Sequence, residues 1–188
     1  MSKSRIYLDH AATSPLRPEA RAAMEEGFAI WANPSSPHAE GRKAKHALED
    51  ARERIKRSLG WDGELIFTSG ASEALWIALN RAKVDRRIVS AVEHDAVFRA
   101  APDAEVVPVY SAGHENAGRV NLDAIGDFGN AIVAVQDVNS ETGATQFIND
   151  GSKDTFGDLA DRIHSGGGVI VSDCSQSAGP KSRLPAAD

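Results

Sequence analysis

Polar side chains that could do chemistry follow several short apolar runs in this sequence. Asp173 comes just after the run 169–171, and Gln176 lies three residues further on. His94 closes a second such run, 87–92. Short apolar runs of this kind are typical of buried strands. Because ligands of open α/β sheets bind at the carboxyl ends of the strands, the pattern predicts one shared site there.

Asp173 is the residue of this group whose chemistry is most restrictive. A carboxylate at a strand end is partly buried and needs a cation or several hydrogen-bond donors to compensate its charge. A protonated ring nitrogen of a bound cofactor is one such partner. The alternative is that Asp173 only caps the turn after its strand.

A second predicted feature is an anion-binding turn at residues 67–74. The segment Gly70-Ala71-Ser72 joins an apolar run (65–67) to a helical pattern that includes Leu75 and Leu79. Glycine and small hydroxyl residues at such a turn leave backbone N–H groups exposed, and the helix dipole favours negative charge there. Ala71 and Ser72 are therefore candidate phosphate ligands, although the same pattern also fits an ordinary helix N-terminus.

The elements that must position these residues alternate along the chain. Strands are expected at 6–8, 65–67, 88–92, 105–110, 131–138 and 169–172, and helices at 18–31, 41–59, 74–79, 96–100, 122–128 and 155–164. Alternation of this kind predicts an α/β fold, with a mostly parallel sheet and helices on both faces. The glycines 166–168 precede a strand, so they predict a turn and not a phosphate loop.

Composition excludes several classes of protein. The net charge of −6 argues against nucleic acid or an anionic membrane as the main partner. No apolar run is long enough to span a membrane, and the N-terminus shows no signal-peptide core. The single cysteine, Cys174, allows no internal disulfide, which indicates a reducing, cytoplasmic setting. The six histidines show no metal-ligand spacing with Cys174, so no metal site is predicted.

Five segments, in this order, resemble the first half of a cysteine desulfurase. This family belongs to the class V aminotransferase group of enzymes that depend on pyridoxal 5′-phosphate (PLP), and the likeness covers essentially the whole chain. The segments are LDHAATSP (8–15), NPSSPHAEGR (33–42), FTSGASE (67–73), EHDAV (93–97) and DCSQSAG (173–179).

The resemblance implies roles for five residues. The residue that matches Asp173 pairs with the protonated pyridine nitrogen and keeps the ring an electron sink. The residue matching Gln176 holds the phenolic oxygen, and those matching Ala71 and Ser72 bind the phosphate. The histidine matching His94 stacks on the ring and is the candidate catalytic proton carrier; a surface histidine in a polar loop is the alternative.

Other positions depart from the family or remain open. Where the family pattern is Asn-Asn-Glu-x-Gly, this chain has Ser140 in the second place, so a ring contact is not expected there. His38 either faces the substrate side of the site or serves its own loop. Cys174 does not match the family's persulfide-forming cysteine, and we expect it to act as a small buried apolar residue.

The resemblance also sets the expected limits of the chain. The family's Schiff-base lysine, persulfide cysteine and substrate-binding arginine match no residue here, so the chain alone is expected to be inactive unless a C-terminal half completes it. Residues 1–15 would belong to a small domain, and 16–188 to an incomplete large domain like that of aspartate aminotransferase. The strand at 65–67 would then lose its neighbours, and the isolated chain would fold poorly.

Several functions stay open on the sequence alone. A complete enzyme would convert L-cysteine to L-alanine and enzyme persulfide, work as a homodimer and pass sulfur to an acceptor protein. The alternatives are another class V enzyme (a selenocysteine lyase or an aminotransferase), and a non-catalytic module that uses the same face to bind a partner.

Overall fold

The computed structural model describes residues 6–121, 124–146 and 156–179. The chain divides after Ile66 into two compact units. The expected division into residues 1–15 and 16–188 follows the family's domains and stays a prediction.

From residue 6 onward, the first unit contains two helices, α1 (Pro18–Ala29) and α2 (Ala39–Leu59). Pro18 suits the first turn of α1, where its missing N–H would have no partner in the helix. The ring of His38 caps α2: its Nδ1 accepts a hydrogen bond from the Gly41 N–H at 3.2 Å. Gly60 ends α2 in the left-handed conformation with φ of 66°. His38 therefore has a structural role, and a role toward a substrate stays a prediction.

The described part of the second unit contains a four-stranded sheet and three α-helices. The strands are β1 (Arg86–Ser90), β2 (Glu105–Val107), β3 (Ala131–Gln136) and β4 (Val169–Asp173). The helices are α3 (Ala71–Arg81), α4 (Asp95–Ala100) and α5 (Phe156–Ser165). The strand order is β2-β1-β3-β4, and every pairing is parallel.

Helices cover both faces of this sheet, because successive strand residues point to opposite sides. Val133 and Val135 pack with Leu159 and Ile163 of α5 in one buried cluster. On the other face, Ile132 and Ala134 belong to the cluster that also holds residues of α3 and α4. Because both faces are apolar, β3 is buried along its whole length. The predicted α/β class, with a parallel sheet between helices, is confirmed.

Some predicted elements differ from those observed. Residues 6–8 and 65–67 form no strand. In the described residues no neighbouring segment pairs with either, so neither apolar run forms the backbone hydrogen bonds of a sheet. The strand predicted at 105–110 ends at Val107, because Pro108 has no N–H to donate. Of the helix predicted at 122–128, residues 122 and 123 lie outside the described ranges, and residues 125–128 are not helical.

Across the described ranges, every helix is too short or too polar to cross a membrane.

Candidate active site

The carboxyl ends of β1, β3 and β4 form one side of a cleft in the second unit. The chain runs from β1 outward to β2, and β3 and β4 lie on the opposite side of β1. The strand order therefore reverses between β1 and β3, which is where ligands of open α/β sheets bind. The cleft has a volume of about 160 Å³.

All five residues singled out by sequence line this cleft: Ala71, Ser72, His94, Asp173 and Gln176. Ala71 and Ser72 stand at the start of α3, His94 precedes α4, and Asp173 ends β4. Residues that are up to about a hundred positions apart in the sequence thus line the same cleft. Their roles toward a cofactor stay predictions.

Asp173 keeps one carboxylate oxygen accessible to a ligand. The side chain is half-buried, and its Oδ1 accepts hydrogen bonds from the Ser175 N–H at 2.9 Å and the Ser175 hydroxyl at 2.5 Å. Among the described residues no donor bonds to Oδ2. Asp173 therefore caps its turn, and it also presents an acceptor to the cleft, so the two interpretations made from sequence are compatible.

The start of α3 supplies N–H groups for an anion. Gly70 precedes the helix and carries no side chain to cap it, and the first intrahelical bond of this end runs from Ala74 N–H to Gly70 carbonyl. In the described structure the N–H groups of Ala71 and Ser72 meet no acceptor. Unsatisfied donors and the positive end of the helix dipole together favour a phosphate.

The Glu73 carboxylate occupies one of the backbone N–H groups of the same turn. The Glu73 carboxylate accepts a hydrogen bond from Ser69 N–H at 2.5 Å. This bond holds the pKa of Glu73 below its ordinary value, so the group stays ionised. The N–H of Ser69 is thereby occupied, which leaves the donors of Ala71 and Ser72 and the Ser72 hydroxyl for a ligand.

His94 caps a helix while its ring lines the cleft. Its Nδ1 accepts a hydrogen bond from the Ala96 N–H at 3.2 Å. An acceptor nitrogen carries no proton, so the neutral ring has its proton on Nε2. The cap thus fixes both the position of the ring and the nitrogen that can donate, an effect that the sequence alone did not reveal.

Six further residues line the cleft, and three of them are polar: Gln136, Ser140 and Ser175. Gln136 is 3% exposed and donates from its side-chain amide to the Val92 carbonyl. Ser140 stands in the cleft although no contact was expected from its short side chain. A polar residue at the end of the apolar run 131–135 was the available signal for Gln136.

The loop that carries Ser140 is held by Asn139. The Asn139 Oδ1 accepts hydrogen bonds from the N–H groups of Glu141 at 2.9 Å and Thr142 at 2.8 Å. Its Nδ2 donates to the Val92 carbonyl at 2.9 Å. Asn139 is buried, so its function is to position this loop against the end of β1.

Glu93 is a buried carboxylate that contacts Gln136, one of the residues that line the cleft. It is 7% exposed, and burial raises its pKa from 4.5 to about 7. Hydrogen bonds from the Ser90 hydroxyl and the Gln136 N–H oppose this shift, and the nearby negative charge of Asp173 adds to it. Sequence reasoning gave Glu93 no role.

Cys174 follows Asp173 but is a poor nucleophile. Its thiol is half-buried, and burial raises its pKa above the ordinary value. Its Sγ lies 3.4 Å from the Ser172 hydroxyl oxygen. Because the thiolate is the reactive form, a raised pKa disfavours attack by this cysteine at neutral pH.

The residues of the cleft fit PLP. A helix N-terminus with unsatisfied N–H groups suits a phosphate, and an accessible carboxylate oxygen suits a protonated pyridine nitrogen. His94 has a flat ring beside the same cleft.

The sequence profile of the Aminotransferase class-V family matches residues 6–182, and the chain belongs to this family. A cysteine desulfurase of Cereibacter sphaeroides is 34% identical over 93% of this chain and 47% of its own length. The human selenocysteine lyase is 43% identical over 37% of this chain and 16% of its own. The solved NifS-like protein of Rickettsia africae shares the fold, with a TM-score of 0.74 and 22% identity over 92% of this chain and 48% of its own. The chain thus spans about half the length of the cysteine desulfurase and of the solved protein.

Proposed function

We propose that this chain forms the N-terminal, cofactor-binding part of a PLP-dependent cysteine desulfurase that acts on L-cysteine. The observation that carries the proposal is the arrangement of the cleft. A helix N-terminus with two unsatisfied N–H groups shares it with a half-buried carboxylate whose Oδ2 is accessible. The similarity to cysteine desulfurases over 93% of the chain supports the choice of substrate.

In this proposal the chain's own residues bind and orient the cofactor. Ala71 and Ser72 would hold the phosphate, Asp173 would accept a hydrogen bond from the ring nitrogen, and Gln176 would contact the phenolic oxygen. The ring of His94 would face the cofactor ring and would carry a proton at Nε2. When bound, PLP supplies an electron sink for negative charge on the substrate.

Selenocysteine lyase is the second candidate, because the human enzyme matches 72 residues of this chain at 43% identity. Both candidates use the same cofactor, so the cleft itself does not discriminate between them. Steady-state turnover of L-cysteine against L-selenocysteine by the complete enzyme decides: a strong preference for the selenium substrate favours the lyase.

We also propose a cytoplasmic protein that acts as a homodimer and delivers sulfur to an acceptor protein. The support for the compartment is the single, half-buried cysteine, which leaves no internal disulfide to form. Dimer and acceptor rest on family membership.

The direct test is binding of 4-deoxypyridoxine 5′-phosphate to the 188-residue chain, after a cooperative urea transition has shown that the isolated chain is folded. This ligand has the ring nitrogen, the phenol and the phosphate but no aldehyde, so it cannot react with surface lysines. Calorimetry should show one site, and Asp173→Asn should weaken it about tenfold or more, since a hydrogen bond between charged groups is lost.

The matched control is Asp137→Asn, which neutralises a half-buried carboxylate one residue beyond β3 that does not line the cleft. It should bind like the wild type. No saturable binding by the wild-type chain, or equal losses in both variants, would contradict the proposed function.

A further inference from the structure

Glu93 is held at the meeting point of two strand ends. Its carboxylate accepts a hydrogen bond from the Ser90 hydroxyl at 2.5 Å, at the end of β1. Both of its oxygens also lie 3.1 Å from the Gln136 nitrogen, at the end of β3. The three residues are nine-tenths or more buried. Glu93 therefore ties β1 to β3 at the edge of the sheet where the cleft lies.

Among the residues that the structure describes, no cation balances the carboxylate of Glu93. None of the basic side chains in the described ranges forms an ion pair with it. A buried carboxylate without a counter-ion is costly and holds its proton to higher pH. This accounts for a pKa of about 7, for which burial is the first cause.

Gln136 connects Glu93 to Asp173. Its backbone N–H contacts the Glu93 carboxylate, and it is the in-register partner of Asp173 across β3 and β4. Partners in register point to the same face of a sheet. The two carboxylates thus lie on either side of one residue, and the charge of Asp173 raises the pKa of Glu93.

We propose that Glu93 and Asp173 form a coupled carboxylate pair, in which Glu93 is a positioning residue that adds negative charge beneath the ring-nitrogen site. The proposal rests on the proposed function, because a cationic ring nitrogen is the ligand group that this pair would select. Asp173 contacts the ligand directly. Glu93 acts through the end of β3 and through its charge.

The other charged groups around Glu93 are accounted for as follows. His94 is the basic group that immediately follows Glu93, and its Nδ1 serves as a helix cap. Arg99 is paired with Asp95 on the exposed side of α4. The titratable or charged groups of the surrounding elements are Glu73 and Arg81 on α3, His94, Asp95 and Arg99 at α4, Arg86 and Arg87 in β1, Asp137 after β3, and Asp173 and Cys174 at β4.

The pair has a consequence for ligand binding. Below pH 6 Glu93 is mostly neutral, and above pH 8 it is mostly ionised, so its attraction for a cationic ring grows between these limits. Glu93→Gln has no charge at either pH but keeps an acceptor for Ser90 and Gln136. The variant should therefore equal the wild type at pH 6 and bind several-fold more weakly at pH 8.

The first experiment needs no ligand. The carboxyl ¹³C resonance of Glu93 is titrated by NMR in the wild type, in Asp173→Asn and in Asp137→Asn. Removal of the charge at 173 should lower the pKa of Glu93 by an amount that is clear in the titration, and Asp137→Asn should leave it unchanged. The proposed coupling would be wrong if the pKa of Glu93 is unchanged in Asp173→Asn, or if it shifts equally in both variants.

The second experiment measures calorimetric binding of 4-deoxypyridoxine 5′-phosphate at pH 6 and pH 8. The wild type is compared with Glu93→Gln and with Glu115→Gln, a matched change at an exposed loop residue. A loss of about three- to tenfold in Glu93→Gln at pH 8 alone supports the proposal. Equal affinity at both pH values, or the same loss at both, overturns it.

The two experiments separate the two proposals. If Glu93 and Asp173 are coupled but the wild type binds no ligand, the proposed function is wrong, and so is the part of this inference that concerns the ring nitrogen. If the ligand binds as expected but Glu93 titrates independently of Asp173, the carboxylate pair alone is wrong.

Discussion

Gln136 and Asp173 are in-register partners at the carboxyl ends of β3 and β4 and line the same cleft. Parallel pairing places their Cα atoms side by side, so both side chains leave the sheet on the face of α3 and α4. The side-chain Nε2 of Gln136 donates to the Val92 carbonyl, and its backbone N–H donates to Glu93. Asp173 is therefore the residue of this pair that can offer a charged acceptor to a ligand.

Glu93 should make the stability of the protein depend on pH. Its pKa is about 7 in the folded state, above the ordinary 4.5, so the folded chain binds more protons than the unfolded chain between these values. Stability therefore falls as pH rises from about 4.5 to about 7, by about 3 kcal/mol for a shift of this size. Below pH 4.5 the contribution is fully present.

Glu93→Gln should remove this dependence. The difference in unfolding free energy between variant and wild type, measured in urea at pH 5 and pH 8, isolates Glu93 from other titrating groups. The variant should be the more stable protein at pH 8 and lose that advantage at pH 5. A difference that is the same at both pH values would show that Glu93 titrates normally.

His94 should have two separable roles. His94→Ala removes the acceptor for the Ala96 N–H and should cost about 1 kcal/mol of unfolding free energy. His94→Asn keeps a capping side chain and should restore most of that stability, yet it should not restore affinity for 4-deoxypyridoxine 5′-phosphate, because the flat ring is gone. Urea unfolding and calorimetry measure the two effects; rescue of both by Asn would contradict a role for the ring.

Ser72 should recognise the phosphate and not the ring. Ser72→Ala should weaken binding of 4-deoxypyridoxine 5′-phosphate about tenfold, because a hydrogen bond to a charged group is lost. Its affinity for 4-deoxypyridoxine without the phosphate should stay that of the wild type. Calorimetry with both ligands checks this, with Ser111→Ala in an exposed loop as the control. Equal losses for the two ligands would place the phosphate elsewhere.

Gly168 should be indispensable for the entry into β4. A Cβ atom there would lie 2.8 Å from the Phe128 carbonyl oxygen and 2.9 Å from that of Ala131, both of which belong to the backbone. Gly168→Ala should therefore lower the unfolding free energy by about 2–4 kcal/mol. Gly126→Ala is the control, since no atom lies within 4 Å of its Cβ position. Thermal or urea unfolding of the two variants measures the loss of unfolding free energy. Similar losses in both would show that a Cβ atom at position 168 is tolerated.

Regular patterns in the sequence predicted one shared position for several polar residues. His94 and Asp173 follow apolar runs, Ala71 and Ser72 follow a glycine at a turn, and all four line the same cleft, while their roles toward a cofactor stay predictions. The prediction failed at residues 65–67, because an apolar run becomes a strand only when another strand pairs with it. It also missed Gln136, whose place in the cleft depends on its register with Asp173.

Local periodicity and motifs of adjacent residues are enough to predict the α/β alternation, the strand ends that carry polar groups and the family of the chain. The burial of Glu93 beside Asp173, eighty positions later in the chain, and the helix cap that holds the ring of His94 depend on how the chain folds. Burial and the approach of distant charges set the proton affinity of a carboxylate, and neither can be read from its neighbours in sequence.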